Sequence, residues 1–447
     1  MDAIQSVQQK YDFPYELKPE QLAIIKNVIN GHHTCGILPT GFGKSDCFVF
    51  PQLALDEIYP HKKPHIGLVV SPLRSLMINQ TKRWSEHGIK TACILKMAEM
   101  TAAEIKDIME GNCSLVFTSP EAICKEPWRS MLRNEHYKSR LAFLACDEAH
   151  CIVEWGDDFR PDYRQVSVLR SLITCPFMIL TATATENMRV KILSNLLLAD
   201  HDVKTIAIIP DRPNIFLHFK SESGMIFENE LAWYLGHLRD KGENAKKAII
   251  YCRTIKQVAD VYEYFMAELG EKAWRGAARN VENRILDMFH SSLDENTQRR
   301  IVSIFPTNDS IIRCLVATVA FGMGVQVDDI SIVIHWGASK SILSYWQEVG
   351  RCGRDGRNAE AFLYATKRSL VKKRVSDEVI SFVTQLQTAS DNCVRFNILK
   401  HLMVSGMESH RLDEIKNRRA CEGILVGGSC TCAFSSCCSN CKRKCKN

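Results

Sequence analysis

CDEAHCIVEWGDDFRPDY, residues 146–163, decides how the rest of the chain is read. It follows an apolar run, Leu141-Ala142-Phe143-Leu144-Ala145, whose length suits a buried strand. Asp147 and Glu148 then fall at the C-terminal end of that strand, the edge of an open α/β sheet where ligands bind. An Asp at such an edge holds Mg2+, and a neighbouring Glu polarises an attacking water. Trp155, Phe159 and Tyr163 follow at once, interleaved with Arg160 and Arg164. Flat rings and guanidinium planes are the surfaces on which single-stranded bases stack. A strand end followed by a partly buried aromatic turn accounts for the same letters, and short matches are common by chance. The surrounding sequence has to choose between the two.

Upstream, CGILPTGFGKSDCFVFP (35–51) takes an apolar step into Pro39-Thr40-Gly41-Phe42-Gly43-Lys44-Ser45. Glycines at 41 and 43 let backbone N–H groups converge on phosphate oxygens. Lys44 then reaches the terminal phosphates and the Ser45 hydroxyl binds Mg2+, while the following helix adds its positive dipole end. The strict phosphate-loop pattern has Gly where Leu38 stands, so the match is to the relaxed form. A structural glycine turn explains the glycines but not the Lys-Ser pair. Further upstream, Pro19 suits a first helical turn, and Leu22, Ile25, Val28 and Ile29 form a stripe of period 3.6. Gln21, one turn in, reads either as an exposed surface residue or as a reader of an adenine edge, with Tyr15 as the ring that stacks on the base.

Strand-like runs recur at IGLVVSP (66–72), SLVFTSP (114–120), LAFLACDEAH (141–150) and FMILTATAT (177–185), each followed by a helix-compatible stretch. This alternation predicts a parallel sheet with helices on both faces. Thr181 and Thr183 bring two hydroxyls to the carboxylate edge, where they contact a sugar-phosphate backbone or cap the next helix. Residues 200–230 read as a looser connection, with Asp211-Arg212-Pro213-Asn214 as a turn cluster. The alternation restarts with KAIIYCR (247–253), RCLVATV (313–319), SIVIHW (331–336) and AFLYA (361–365). The second half lacks a phosphate loop. It carries instead YWQEVGRCGRDGR (345–357), in which Arg351, Arg354 and Arg357 are spaced by three on a glycine-rich background. Such arginines reach a γ-phosphate held by the first half, or form a basic surface loop.

With 447 residues the chain has room for two or three domains, and its net charge of +6 is compatible with nucleic acid without arguing for it. No apolar run approaches membrane-spanning length. The start, MDAIQSVQQKYDF, has neither a basic n-region nor an apolar h-region, so an intracellular protein is expected. That expectation turns the 19 cysteines away from disulfides. Eleven lie scattered in apolar contexts as small core residues, and eight fall after residue 390. Cys438-x-x-Cys441 has metal-ligand spacing, and Cys430 or Cys432 supplies a further thiolate; a disulfide knot and an idle tail are the rivals. Lys442, Arg443 and Lys444 beside the cluster suit phosphate contacts.

Taken in order, LKPEQ (17–21), LPTGFGKS (38–45), CDEAHCIVEWGDDFRPDY, LTATAT (180–185), IIYCRT (249–254), VATVAFGMGV (316–325) and WQEVGRCGRDG (346–356) resemble the motifs of the RecQ family of superfamily-two DNA helicases. The resemblance implies an α/β fold of two tandem RecA-like parallel-sheet lobes, 1–205 and 206–372, followed by a small helical zinc-binding subdomain, 373–447. It implies ATP, Mg2+ and Zn2+ as cofactors. It places Gln21, Thr40, Gly41, Gly43, Lys44, Ser45 and Gln347 on the nucleotide, Asp147 on the metal and Glu148 on the attacking water. Arg351 and Arg354 complete that site, with Arg354 as the arginine finger. Trp155, Phe159, Arg160, Thr181 and Thr183 are the residues expected to couple DNA to hydrolysis. The family's zinc module takes one cysteine from a helix and three from a later cluster, which points to Cys393, Cys430, Cys438 and Cys441, with Cys432, Cys437 and Cys445 as replacements. The implied activity is 3′–5′ translocation on single-stranded DNA and unwinding of partly duplex DNA, in DNA repair and recombination, with a nuclear location. The chain reads as a minimal core, without the winged-helix and helical accessory domains of many relatives. Three features depart from the family pattern: Phe42 replaces a glycine, Asp157 stands where a histidine is usual, and 271–292 is atypical. An RNA helicase of the same superfamily and an inert nucleic-acid-binding scaffold are the rival functions. The aromatic loop and the cysteines weigh against the first; intact Lys44, Asp147, Glu148 and Arg354 weigh against the second.

Overall fold

The computed structural model describes residues 2–154, 161–322, 325, 327–388, 393–416, 425–426, 429–430 and 437–442. They divide into two units, Met1–Pro210 with Leu402–Glu408, and Asp211–His401 with Ser409–Asn447. The first unit is built on seven strands: β1 (His33–Ile37), β2 (Ile66–Val70), β3 (Thr91–Cys93), β4 (Leu115–Thr118), β5 (Leu141–Cys146), β6 (Phe177–Thr181) and β7 (Val203–Ala207). All pair in parallel, in the order β3-β4-β2-β5-β6-β1-β7.

The central strands are apolar throughout because both faces of the sheet are covered. Successive residues alternate between two cores. Leu144, Cys146, Phe177 and Ile179 face one core, and Phe143, Ala145, Met178 and Leu180 face the other. The helix Pro19–Ile29 lays Ile24, Ile25 and Val28 into the second core. It approaches β1 so closely that a Cβ on Gly36 would meet Ile24 Cδ1 at 2.6 Å and Leu180 Cδ2 at 2.8 Å.

The second unit repeats the plan with β8 (Ile215–Lys220), β9 (Ala248–Cys252), β10 (Leu286–Phe289), β11 (Cys314–Ala317), β12 (Ile332–Trp336) and β13 (Ala359–Tyr364). These form a parallel sheet in the order β10-β11-β9-β12-β13-β8. A small antiparallel pair, β14 (Leu425–Val426) and β15 (Ser429–Cys430), follows near the C-terminus.

The expected fold class of two parallel-sheet lobes is what the structure shows. Two expectations need correction. Residues 200–230 are not a loose connection: β7 and β8 lie there and add edge strands to the two sheets. Their outward residues are polar or half-exposed, which hid the alternation. Nor do residues 373–447 separate as one body. Leu402–Glu408 belongs to the first unit, where Val404 enters the core and Ser405 donates from its N–H and Oγ to Glu186 at 2.8 and 3.1 Å. Glu186 is in turn held by the buried Arg189, which also grips Asp200. No helix among the described residues is long and apolar enough to cross a membrane.

Gly36→Val tests the close approach of helix and strand. Overfilling that contact should cost about 1–3 kcal/mol, read as a lower urea midpoint for the first unit. A midpoint unchanged from wild type would show that Ile24 and Leu180 yield freely.

Candidate functional site

The first unit gathers its polar chemistry at the C-terminal ends of β1, β6 and β5, which are neighbours in the sheet. β1 runs into the glycine loop, where Gly41 and Gly43 take φ of +81° and +88°, the left-handed region open to glycine. A Cβ on Gly43 would lie 2.5 Å from Gln21 Nε2 and 2.7 Å from Asp46 Oδ2, so only glycine fits there. Lys44 turns back over the loop and donates to the Leu38 carbonyl at 3.3 Å. Ser45 Oγ accepts from Gln80 Nε2 at 2.9 Å. Thr40 and Gly41 are exposed at the rim. Gln21 is 3% exposed and spends its amide within the protein. Its Oε1 accepts from the Lys18 N–H at 2.8 Å, and its Nε2 donates to Gly43 O at 2.8 Å and Asp46 Oδ2 at 3.1 Å. Tyr15 likewise donates its hydroxyl to Asp46 at 2.9 Å. Phe42, the departure from the family pattern, lies under Lys18, whose Nζ sits 4.0 Å from the ring centre.

β5 delivers Asp147 and Glu148. The Asp147 N–H donates to Val70 O at 2.9 Å, and its carboxylate accepts from the Glu148 N–H at 3.0 Å. Glu148 has φ of +46°, a left-handed backbone at a non-glycine residue. Such strain costs about 1–3 kcal/mol and gathers at functional sites. Burial first, then the adjacent Glu148 charge, holds the Asp147 carboxyl well above the usual carboxylate range, and the Lys44 ammonium pulls it the other way. A pair of acids in this state is relieved by a divalent cation, and Ser45 and Asp147 are the oxygen donors present to hold one.

The sequence reading missed His150. Its Nδ1 lies 3.4 Å from Glu148 Oε2 and 3.0 Å from Thr181 Oγ1. Its place two residues after the acid pair was the available signal. Thr181 and Thr183 are only 1% and 5% exposed. The Thr181 hydroxyl also donates to Thr183 O at 3.1 Å. Turned inward, Thr181 ties the acid loop to β6 instead of offering its hydroxyl to a nucleic-acid backbone. Trp155, Phe159 and Arg160 lie outside the described residues.

In the second unit the helix Ile342–Val349 carries Gln347, partly exposed, into the arginine loop. Glu348 is buried on the other side, accepting from Ser339 Oγ at 2.7 Å and pairing with His335 Nε2 at 2.8 Å. Arg351 Nη2 donates to Gly322 O. Arg354 makes no ion pair among the described residues. Burial, and then the Arg351 charge, lower its guanidinium to about 10. A half-buried cation crowded by another cation is set to receive an anion.

The cysteine cluster is made of Cys393, Cys437, Cys438 and Cys441, whose Sγ atoms all lie within 4.8 Å of one another. Cys393 and Cys437 are 3.6 Å apart at sulfur, too far for a disulfide. A tetrahedral ion with Zn–S of about 2.3 Å sets its sulfurs about 3.8 Å apart, so four thiols at this spacing, three of them buried, fit such an ion. Cys437, one of the expected replacements, stands in the cluster with Cys393, Cys438 and Cys441, and the side chains of Cys430, Cys432 and Cys445 lie outside the described residues. The helix Ser439–Lys442 turns Cys438 and Cys441 to one face, and the adjacent Cys437 reaches the same point because it stands in the turn just before.

The DEAD/DEAH box helicase family profile matches residues 18–190, and that of the helicase conserved C-terminal domain matches residues 230–356. A putative ATP-dependent RNA helicase of Acanthamoeba polyphaga mimivirus is 33% identical over 348 residues, 78% of this chain and 57% of that protein. The ATP-dependent DNA helicase RecQ of Haemophilus influenzae is 32% identical over 347 residues, 77% of this chain and 50% of that protein. The chain therefore spans about half the length of these curated relatives. The crystal structure of the DUF1998 helicase MrfA bound to DNA superposes with a TM-score of 0.62 at 15% identity, covering 93% of this chain and 56% of that one, a likeness of fold. With both helicase regions matched in order, RecQ relatives at this identity and two RecA-like parallel-sheet lobes, the chain belongs to the RecQ-like helicases of superfamily two.

Proposed function

We propose that this chain is an ATP-driven DNA helicase that moves 3′ to 5′ along single-stranded DNA. The observation that carries the reading is that Lys44 and Ser45 follow β1 while Asp147 and Glu148 follow β5, on the same edge of one parallel sheet and either side of β6. Lys44 binds the terminal phosphates, and Ser45 with Asp147 holds Mg2+, which when bound neutralises charge on the phosphate oxygens. Glu148 orients the attacking water and accepts its proton, with His150 fixing the carboxylate from the side. Arg354, with Arg351, stabilises the charge that builds on the transferred phosphoryl group. Gln21, Thr40, Gly41, Gly43 and Gln347 complete the nucleotide contacts. Single-stranded and partly duplex DNA are the substrates, with hydrolysis coupled to lobe closure. One zinc ion in the four-cysteine cluster is structural, because all four positions are protein thiolates and none is left open for a reactant. RNA is the second reading, favoured by the name of the mimivirus relative; ATPase stimulation compared on DNA and RNA strands of one sequence decides between them.

Lys44→Ala should abolish ATP turnover. Glu148→Gln should retain ATP binding and slow turnover on the order of 10²–10⁴-fold, the usual contribution of a positioned base. Turnover in Glu148→Gln within a few-fold of wild type would remove Glu148 from the chemistry.

Arg354→Ala should leave ATP affinity nearly intact and lower the hydrolysis rate on the order of 10³-fold. Normal hydrolysis combined with weak DNA binding would make Arg354 a backbone contact instead.

Elemental analysis of reduced protein should find about one zinc per chain. Cys437→Ser should lose it, while Cys430→Ser should keep it. The reverse result would restore the set expected from sequence, and no zinc in either variant or the wild type would end the assignment.

A further inference from the structure

The arginine loop, residues 350–357, is rich in glycine and turns sharply, so its carbonyls find few partners of their own. Those of Gly350, Cys352, Gly353 and Arg357 are met by two side chains from the Asp211-Arg212-Pro213-Asn214 turn, about 140 residues away in sequence. Arg212 Nη1 donates to Gly350 O at 3.2 Å, and Nη2 donates to Cys352 O at 3.0 Å and Gly353 O at 2.7 Å. Asn214 Nδ2 donates to Gly353 O and Arg357 O, both at 2.9 Å. Gly353 is left-handed at φ +61°, and a Cβ there would meet Asn214 Nδ2 at 2.6 Å.

Arg354 hangs from the same point. Its Nε donates at 3.4 Å to Gly350 O, the carbonyl that Arg212 also takes. Burial disfavours the Arg212 charge, Asp211 and Asp355 offset this only in part, and Arg212 adds to the positive charge beside Arg354. What offsets that cost is geometric, three carbonyls fixed by one planar fork.

The turn is anchored from its other side. Arg395, 2% exposed, donates from Nη1 to Asp211 Oδ1 at 2.7 Å and Arg212 O at 2.8 Å. Its Nη2 donates to Ile215 O and, at 3.4 Å, to Cys437 O. Arg212 is therefore held at its backbone by the cysteine cluster's own neighbour and holds, with its side chain, the loop that carries Arg354.

We propose that Arg212 is a positioning residue for ATP hydrolysis: it sets the peptides of the arginine loop so that Arg354 meets the transferring phosphoryl group, and it acts only through Arg354. This rests on the reading of Arg354 given above. A misplacement near 1 Å costs on the order of 10²-fold in rate, which sets the size of the effect.

The test compares Arg212→Met, Arg212→Lys, Arg354→Ala and the Arg212→Met/Arg354→Ala double variant, each with zinc content and melting temperature measured on the same preparation. Arg212→Met should lower kcat on the order of 10²-fold while KM for ATP, zinc content and melting temperature stay near wild type. Affinity for ADP–aluminium fluoride should fall with kcat, while affinity for a non-hydrolysable ATP analogue should not. Arg212→Lys should recover part of the rate. The double variant should be no slower than Arg354→Ala, because residues acting in series do not add. Normal kcat in Arg212→Met overturns the proposal, as does a loss that follows the melting temperature or a double variant that multiplies the two single losses. Normal hydrolysis in Arg354→Ala overturns it by a different route, through the assignment of Arg354 itself.

Discussion

The polar edge of the first unit hangs on the last two residues of β6. The Thr181 carbonyl accepts the Leu38 N–H at 3.0 Å, rooting the glycine loop on the sheet. The Thr181 hydroxyl meets His150, and the Leu180 carbonyl accepts the Ala149 N–H at 2.9 Å, rooting the acid loop on the same strand. Because β6 lies between β5 and β1, the glycine loop and the acid pair share a single support. The apolar strands beneath, buried on both faces, make that support stiff. This is how a fold driven by burial of valine, isoleucine and phenylalanine can fix polar groups to within fractions of an ångström.

The two units hold opposite charges in opposite forms of discomfort. Asp147 is buried beside another acid, and its ionised form is disfavoured until a cation arrives. Arg354 is half-buried beside another cation, and its ionised form is disfavoured until an anion arrives. In each case burial outweighs the opposite charge nearby, Lys44 for Asp147 and Asp328 for Arg354. Sites of this kind are preorganised: the cost of assembling like charges is met during folding and does not recur in each turnover.

Most of the fold was legible because fully buried parallel strands are continuous apolar runs, and those at 66–72, 141–150, 177–185, 247–253 and 313–319 each contain the strand observed. What escaped were short or edge elements: β3 with three residues, and β7, β8 and β10, whose exposed or charged positions interrupt the pattern. The loop residues Lys44 and Ser45 and the acids Asp147 and Glu148 were legible because backbone geometry demands glycine and acid at fixed spacing. The inward turn of Thr181 was not, since a hydroxyl at a strand end looks the same whether it faces solvent or His150. Cys437 ranked only as a replacement because sequence does not show that a turn leading into a short helix brings Cys437, Cys438 and Cys441 to one point. Arg212 had no signal in its own neighbourhood; its partners lie in another motif.

The seam between the cysteine cluster and the second sheet has a consequence for association. β8 is the last strand of its sheet, and an edge strand presents unpaired N–H and carbonyl groups to any passing chain. Here the Leu217 N–H donates to Cys437 O at 3.3 Å and the Phe219 N–H to Ser439 Oγ at 3.1 Å, and Leu217 forms a parallel bridge to Cys438. The cysteine-bearing segment thus doubles as a cap on an open β-edge. Any condition that unfolds it, such as thiol oxidation, would uncover a template for strand pairing between copies of the chain.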